Sequence, residues 1–245
     1  MTEASPHPPL VSIVVPVFNE EGACVELARE IATAFTDIAH EIVFVDDASR
    51  DQTVARLTDL RAELPQLRVL RHAANSGQSR AVRSGVLAAR GDVVATLDGD
   101  GQNDPADAPR LVQRLIASGS SLGLVGGWRV KRQDSAAKRI ASRLANGVRK
   151  RLLQDQAEDT GCGLKVFRRE AFLRLPYFDH MHRYLPALMI REGFDVAFEE
   201  VNHRARLTGA SKYTNLGRLM VAFADMRGVM WLNSRARQPG SVSEL

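Results

Sequence analysis

Cysteine is scarce: Cys24 and Cys162 are the only two in 245 residues, far apart and without metal-ligand spacing. That excludes a zinc site or a disulfide framework and makes a reducing, cytoplasmic setting the expectation. Long apolar runs are missing too. A membrane-crossing helix needs about 20 apolar residues, and the best stretch, Leu216 to Leu232, is interrupted by Arg218, Asp225 and Arg227. No basic, apolar signal sequence opens the chain; residues 1–9 contain three prolines and read as a flexible leader.

What is present describes an ordinary globular protein, with 44% hydrophobic and 25% charged residues, so disorder of the whole chain is excluded. The length allows one large α/β domain or two small ones. A net charge of +4 admits an anionic partner, which could be a phosphate-bearing substrate, a membrane surface or nucleic acid.

The apolar, β-branched run Val11 to Phe18 reads as a buried strand ending at Pro16, after which Asn19 is placed to cap a helix. Strands at Glu41 to Val45, Leu67 to Arg71 and Asp92 to Leu97 follow, separated by helical patterns over Asp51 to Leu64 and from Gln78 through Ala89. Successive strand-helix units predict a parallel, doubly wound sheet, whose functional groups gather at the carboxyl ends of the strands. Asn19, Asp46, Asp47, Asp98 and Asp100 all fall there.

Further on, helices are expected over Pro105 to Ser118, from His182 to near Gly193, and over Leu216 to Asn233, with strands at Ser121 to Trp128 and Asp195 to Asn202. The last helix places Leu216, Leu219, Met220, Phe223, Met226, Val229 and Met230 on its apolar side. Between Arg129 and Arg151 there are nine basic residues and one acid, with Ile140, Leu144, Val148 and Leu152 recurring every four positions. This is a basic amphipathic helix, either packed on the core or lying against a lipid surface. No aromatic residue is interleaved with the charges, so nucleic acid is not expected as a partner.

The run Leu97-Asp98-Gly99-Asp100-Gly101-Gln102 enters from an apolar strand. If it stays extended, Asp98, Asp100 and Gln102 share one face and offer oxygen ligands to a hard cation such as magnesium or manganese. The competing reading is a turn or a helix cap, for which such triplets are common. His182, Arg183 and His203 have no carboxylate at a spacing that defines a triad, and Cys162 reads as a small packing residue.

Taken together, Val14 to Glu20, Val45 to Asp51, Asn75 to Gln78, Asp98 to Gln102, Asp159 to Leu164 and Arg206 to Tyr213 make the chain resemble family 2 glycosyltransferases of the GT-A fold. Among these it is similar to the polyprenyl-phosphate glycosyltransferases, including dolichol-phosphate mannosyltransferases. The resemblance implies one GT-A domain over residues 10–235, Rossmann-like, its mainly parallel sheet flanked by helices and its C-terminal helices amphipathic, with a flexible tail over 236–245. It divides the domain into a nucleotide-sugar half (10–128) and an acceptor half (129–235).

By the same resemblance Pro16, Asn19, Glu20, Asp46, Asp47, Gly77 and Asp98 bind the nucleotide. Asp98, Asp100 and Gln102 hold Mg2+ or Mn2+, Asp98 and Asp100 are catalytic together with Asp159, and Arg129, Arg206, Ser211 and Lys212 bind phosphate or acceptor. For Asp46 a helix cap, and for Asp159 a plain turn, remain open alternatives. Gly101 departs from the family, which often has leucine there. The implied reaction is inverting transfer from a GDP- or UDP-linked sugar to a polyprenyl phosphate. The enzyme would work peripherally on the inner face of a membrane, on the bilayer itself or through a membrane partner. A hydroxyl acceptor and a non-catalytic nucleotide sensor or scaffold are the alternatives.

Overall fold

Neighbouring residues of a strand point to opposite faces of its sheet, and the first strand uses this to build two cores. In Val11–Val17 (β1), Val11, Ile13, Val15 and Val17 enter one apolar cluster while Val14 enters the other. The structure, a computed structural model, describes residues 10–129, 147, 149–153, 155, 157, 159–204 and 215–237.

Within these residues the chain runs β1, Cys24–Ala34 (α1), His40–Asp46 (β2), Thr53–Leu60 (α2), Leu67–Arg71 (β3), Gln78–Ala88 (α3) and Val93–Thr96 (β4). A 3-10 turn at Pro105–Asp107 leads into Ala108–Ala117 (α4) and Leu122–Arg129 (β5). Lys165–Arg168 (β6), Arg169–Arg174 (α5), a 3-10 turn at Met181–Arg183, Leu185–Arg191 (α6), Asp195–Val201 (β7) and Asn215–Ser234 (α7) complete it.

The seven strands form one sheet in the order β3-β2-β1-β4-β6-β5-β7. β1, β2, β3 and β4 pair in parallel, as do β5 and β7, whereas β6 is antiparallel to both of its neighbours. The mainly parallel α/β sheet read from the sequence is therefore present, with β6 reversed. Helices α1, α2 and α4 cover one face, and α3, α5, α6 and α7 the other.

A proline inside a central strand is unusual because it cannot donate to the ladder. Pro16 is accommodated because β4 pairs only with Val11 to Val14, and in a parallel ladder Pro16 faces that side, one step beyond the end of β4. Its missing N–H removes no ladder bond. The proline thus marks where the sheet opens into the site.

Two helical expectations shift. Asn19 does not cap α1, which starts at Cys24 behind Ala23 without a side-chain cap; Asn19 instead takes a left-handed φ of 54° and serves the neighbouring loop. On α7, Val229 is buried and Met226 packs on the core, but Phe223 and Met230, expected on the same side, are exposed along with Val221 and Trp231. Apolar residues surround this helix instead of lying on one stripe.

Candidate active site

The loops after β1 and β2 are tied together by short hydrogen bonds. Asn19 N–H donates to Ser49 Oγ (2.8 Å), Arg50 N–H to Asn19 Oδ1 (2.8 Å), and Glu20 N–H to Thr53 Oγ1 (2.9 Å). Asp46 ends β2 fully buried, accepting Ser49 N–H at 3.1 Å and lying 3.5 Å from Arg71 Nε. It caps a turn, because α2 begins only at Thr53. Buried Asp47 accepts Ser76 N–H and Gly77 N–H, both at 2.8 Å, and pairs with His72 Nδ1 at 2.7 Å. His72 is held in turn by Ser84 Oγ at 2.9 Å. Both acids therefore shape the rim of the cleft through its backbone, and Gly77 is placed there by Asp47.

The aspartate motif lies just beyond β4, in a turn and not in an extended strand. Asp98 N–H donates to Asn103 Oδ1 (2.9 Å), Gln102 N–H donates to Asp100 Oδ1 (3.1 Å), and Gly101 adopts φ 73°. The expected alternation of Asp98, Asp100 and Gln102 on one face is thus replaced by a loop folded over its own backbone. A leucine at 101 would be strained at that φ. The backbone carbonyl of Gln102 accepts Arg204 N–H at 2.9 Å.

Among the described residues no group of three or more His, Cys, Asp or Glu side chains is gathered to hold a metal ion. Asp98 and Asp100 nonetheless suit one. Burial first, then the charge of Asp100, pushes the Asp98 carboxyl above its ordinary value, opposed by Lys165, Arg129 and a 2.8 Å bond from Gln78. A divalent cation relieves such like-charge crowding, and magnesium commonly takes one or two carboxylates and shares the rest of its shell with phosphates and water.

Across from this turn, Arg129 at the end of β5 grips Asp159 through two bonds, Nε to Oδ2 at 2.5 Å and Nη2 to Oδ1 at 2.9 Å. Burial works against the Arg129 charge, and Asp159 more than offsets it, raising the guanidinium above its ordinary value. Asp159 also accepts Gly161 N–H at 3.1 Å. A carboxylate engaged on both oxygens is a poor proton acceptor. Gly163 comes so close to Asp98 that a Cβ there would lie 2.2 Å from Oδ2, so any larger residue would push the Asp98 carboxylate aside.

Sequence reasoning left Lys165, Gln78 and His182 without a role at the site. Lys165 is buried at the start of β6, its ammonium bonded to the Cys162 carbonyl and its charge interacting with Asp98 and Asp159. Burial pushes that ammonium below its ordinary value. With Pro16, Gln78, Asp98, Gly163 and His182 it lines a small cavity of about 20 Å³, enough for one water. His182 bonds Ser79 Oγ at 2.7 Å. Cys162 is buried, its thiol pushed up to about 11 by burial, in keeping with packing. Only Gln78 had a local signal, as the end of the Asn75-Ser76-Gly77-Gln78 turn. Arg206, Ser211, Lys212 and most of the basic stretch after Arg129 lie outside the described residues.

Compared with known proteins, residues 12–175 match the model of the family described as Glycosyl transferase family 2. The chain belongs to this family. It is 34% identical over 236 residues to the dodecaprenyl-phosphate galacturonate synthase of Rhizobium johnstonii, covering 94% of the chain and 69% of that relative. It is 37% identical over 223 residues to the undecaprenyl-phosphate 4-deoxy-4-formamido-L-arabinose transferase of Pseudomonas aeruginosa, covering 89% and 65%. The chain thus spans about two thirds of the length of these curated relatives.

Among solved structures it is similar to the glucosyl-3-phosphoglycerate synthase of Mycobacterium tuberculosis in complex with Mn2+, uridine diphosphate and glucosyl-3-phosphoglycerate. There the TM-score is 0.68 at 20% identity, over 95% of this chain and 82% of the other. A complex of the same enzyme with Mg2+ and uridine diphosphate gives 0.67 at 18% identity, over 95% and 82%. These likenesses establish the GT-A fold.

Proposed function

We propose that this glycosyltransferase moves a sugar, with inversion, from a nucleoside-diphosphate sugar to a polyprenyl phosphate at a membrane surface. The observation that carries this reading is the Asp98–Asp100 turn within electrostatic reach of an Arg129 guanidinium held by Asp159. The relatives named for transfer to dodecaprenyl and undecaprenyl phosphate support the acceptor class.

In this reading residues 10–128 form the donor half and 129–235 the acceptor half. Pro16, Asn19, Glu20 and Gly77 line the nucleoside, with Asp46 and Asp47 fixing their loops. Asp98 and Asp100, with Gln102 close by, would hold Mg2+ or Mn2+, which supplies Lewis-acid stabilisation of the departing diphosphate. Arg129, with Arg206, Ser211 and Lys212, orients the acceptor phosphate. A phosphate acceptor is already anionic and needs positioning more than deprotonation, which agrees with Asp159 acting as the partner of Arg129 and not as a base. The hydroxyl-acceptor alternative requires a free general base and is disfavoured for that reason.

No helix among the described residues is long and apolar enough to cross a membrane. The proposed setting is peripheral, on the cytoplasmic side. The test is transfer to a short-chain polyprenyl phosphate from a panel of UDP- and GDP-linked sugars with Mg2+ or Mn2+. Expected is a polyprenyl-phosphate-linked sugar from at least one donor, lost on chelation; transfer only to a free alcohol, or none to either acceptor by folded protein, overturns the reading.

A further inference from the structure

Two arginines on α3 lie on one tyrosine ring. The guanidinium carbon of Arg80 is 3.8 Å from the centre of the Tyr177 ring and that of Arg83 is 5.4 Å from it. Spaced three residues apart on a helix, they share a face, and like charges so placed repel. Elsewhere the chain resolves such charge with carboxylates: Arg68 meets Glu41, Arg110 and Arg114 meet Glu199, and Arg204 meets Glu30 and Asp104. Among the described residues no such partner is within ion-pairing distance of Arg80 or Arg83. One guanidinium nitrogen of Arg83, Nη1, is moreover buried with no hydrogen-bond acceptor. A buried donor on a cation is costly to leave unmet.

The position of this cluster narrows its use. α3 starts at Gln78, which bonds Asp98, and a Cβ on Gly77 would lie 3.4 Å from Asp179 Oδ1, two residues beyond Tyr177. The cluster therefore follows directly on residues of the site, while none of its three side chains lines the cavity at Asp98. The segment that follows Tyr177 also reaches α7: His180 Nδ1 lies 3.0 Å from Asp225 Oδ2, and Tyr184 Oη donates to the Ala222 carbonyl at 3.1 Å. Beside those contacts α7 exposes Val221 and Phe223. A cationic spot joined through this segment to exposed apolar side chains matches a phosphate headgroup above acyl chains.

We propose that Arg80, Arg83 and Tyr177 form an anion site that takes a phosphate ester outside the donor cleft. Each guanidinium fork donates two N–H bonds to phosphate oxygens in the geometry it prefers, and the tyrosine ring holds both cations in place. The source of the phosphate is a lipid headgroup or a soluble phosphate ester; the lipid source rests on the membrane reading above, and the anion site does not.

The full chain and the double variants Arg80→Gln/Arg83→Gln and Arg80→Lys/Arg83→Lys are compared for binding to phosphatidylcholine vesicles with and without phosphatidylglycerol. Thermal shift with methyl phosphate is measured alongside, and circular dichroism establishes that each variant is folded. Each basic group near an anionic surface contributes roughly fivefold to binding, so the glutamine variant should bind anionic vesicles at least tenfold more weakly, with the lysine variant between it and the native chain. A methyl phosphate shift lost in the glutamine variant, with vesicle binding unchanged, assigns the site to a soluble ester. Native-like vesicle binding together with a native-like methyl phosphate response overturns the proposal. Transfer to a short polyprenyl phosphate in detergent is read on the same samples. Its absence from the native chain counts against the proposed reaction alone, whereas equal transfer by native and variant chains agrees with a site outside the cleft.

Discussion

The two walls of the cleft are held by different physics. On the proposed donor wall, formed by the loops after β1, β2 and β4, the acids mostly accept backbone N–H groups from their own or spatially neighbouring turns. Asp46 accepts from Ser49, Asp47 from Ser76 and Gly77, and Asp100 from Gln102. On the proposed acceptor wall the charges grip one another: Arg129 holds Asp159 through two bonds, and buried Lys165 interacts with Asp98 and Asp159. Turn bonds set loop shape and leave charge available to a ligand. A buried charge pair carries a large desolvation penalty, so it tolerates the loss of neither partner.

The largest expected effect comes from removing charge on the donor wall. Asp98→Asn keeps the size of the side chain but removes the carboxylate that would hold a cation near the departing diphosphate. Turnover should fall about 10²–10³-fold, the scale of losing one preorganised electrostatic group, while the circular dichroism spectrum is unchanged. If the purified variant transfers sugar within about twofold of the native chain, Asp98 does not serve that role and the contrast between the walls loses its functional half.

This contrast also explains what could be read from the sequence. Loop-shaping residues such as Asn19, Asp46-Asp47 and Asn75 to Gln78 sit at the carboxyl ends of strands, so strand pattern and turn chemistry locate them, although of these acids only Asp46 finds its partner Ser49 nearby in sequence. Even there, local geometry was open: the Asp98 run folds into a turn because Gly101 adopts a left-handed φ, which no alternation pattern reveals. Lys165 went unread because the strands that bury it are distant in sequence, and a lysine at the head of an apolar strand looks like an exposed edge residue until β4 and β5 close on either side of it. The reversal of β6 was illegible for the same reason, since pairing direction depends on where the chain returns after β5.

Next in size is the acceptor wall. Removing one partner of the buried Arg129–Asp159 pair leaves the other charge without its bidentate partner, with a typical penalty of about 3–5 kcal/mol. Asp159→Asn and Arg129→Gln should each lower the urea midpoint, and the double variant should be less destabilised than the sum of the two singles. A stability loss under about 1 kcal/mol for each single variant, the range of exposed ion pairs, would place this pair with the surface bridges and erase the difference between the walls.

The smallest effect tests the joint between the walls. His182 comes from the proposed acceptor half, yet its ring bonds Ser79 on α3, 103 residues earlier and one residue from the Gln78 that holds Asp98. Burial first, then Arg183, Lys165 and His180, holds its imidazole well below its ordinary value. The unfolded chain takes up a proton near pH 6.5, where the folded chain does not. This contribution to stability is therefore present in full above about pH 6.5 and falls as the pH drops below it, by at most about 1.4 kcal/mol per pH unit. His182→Gln keeps a polar side chain and removes the titration. Its melting temperature should decline less steeply than that of the native chain between about pH 6.5 and 5, and parallel declines would mean that His182 is free to protonate in the folded state. A shallower slope, with the neutral-pH melting temperature nearly kept, would show that the two halves are joined at this point by a neutral hydrogen bond and not by the buried charge that holds the acceptor wall.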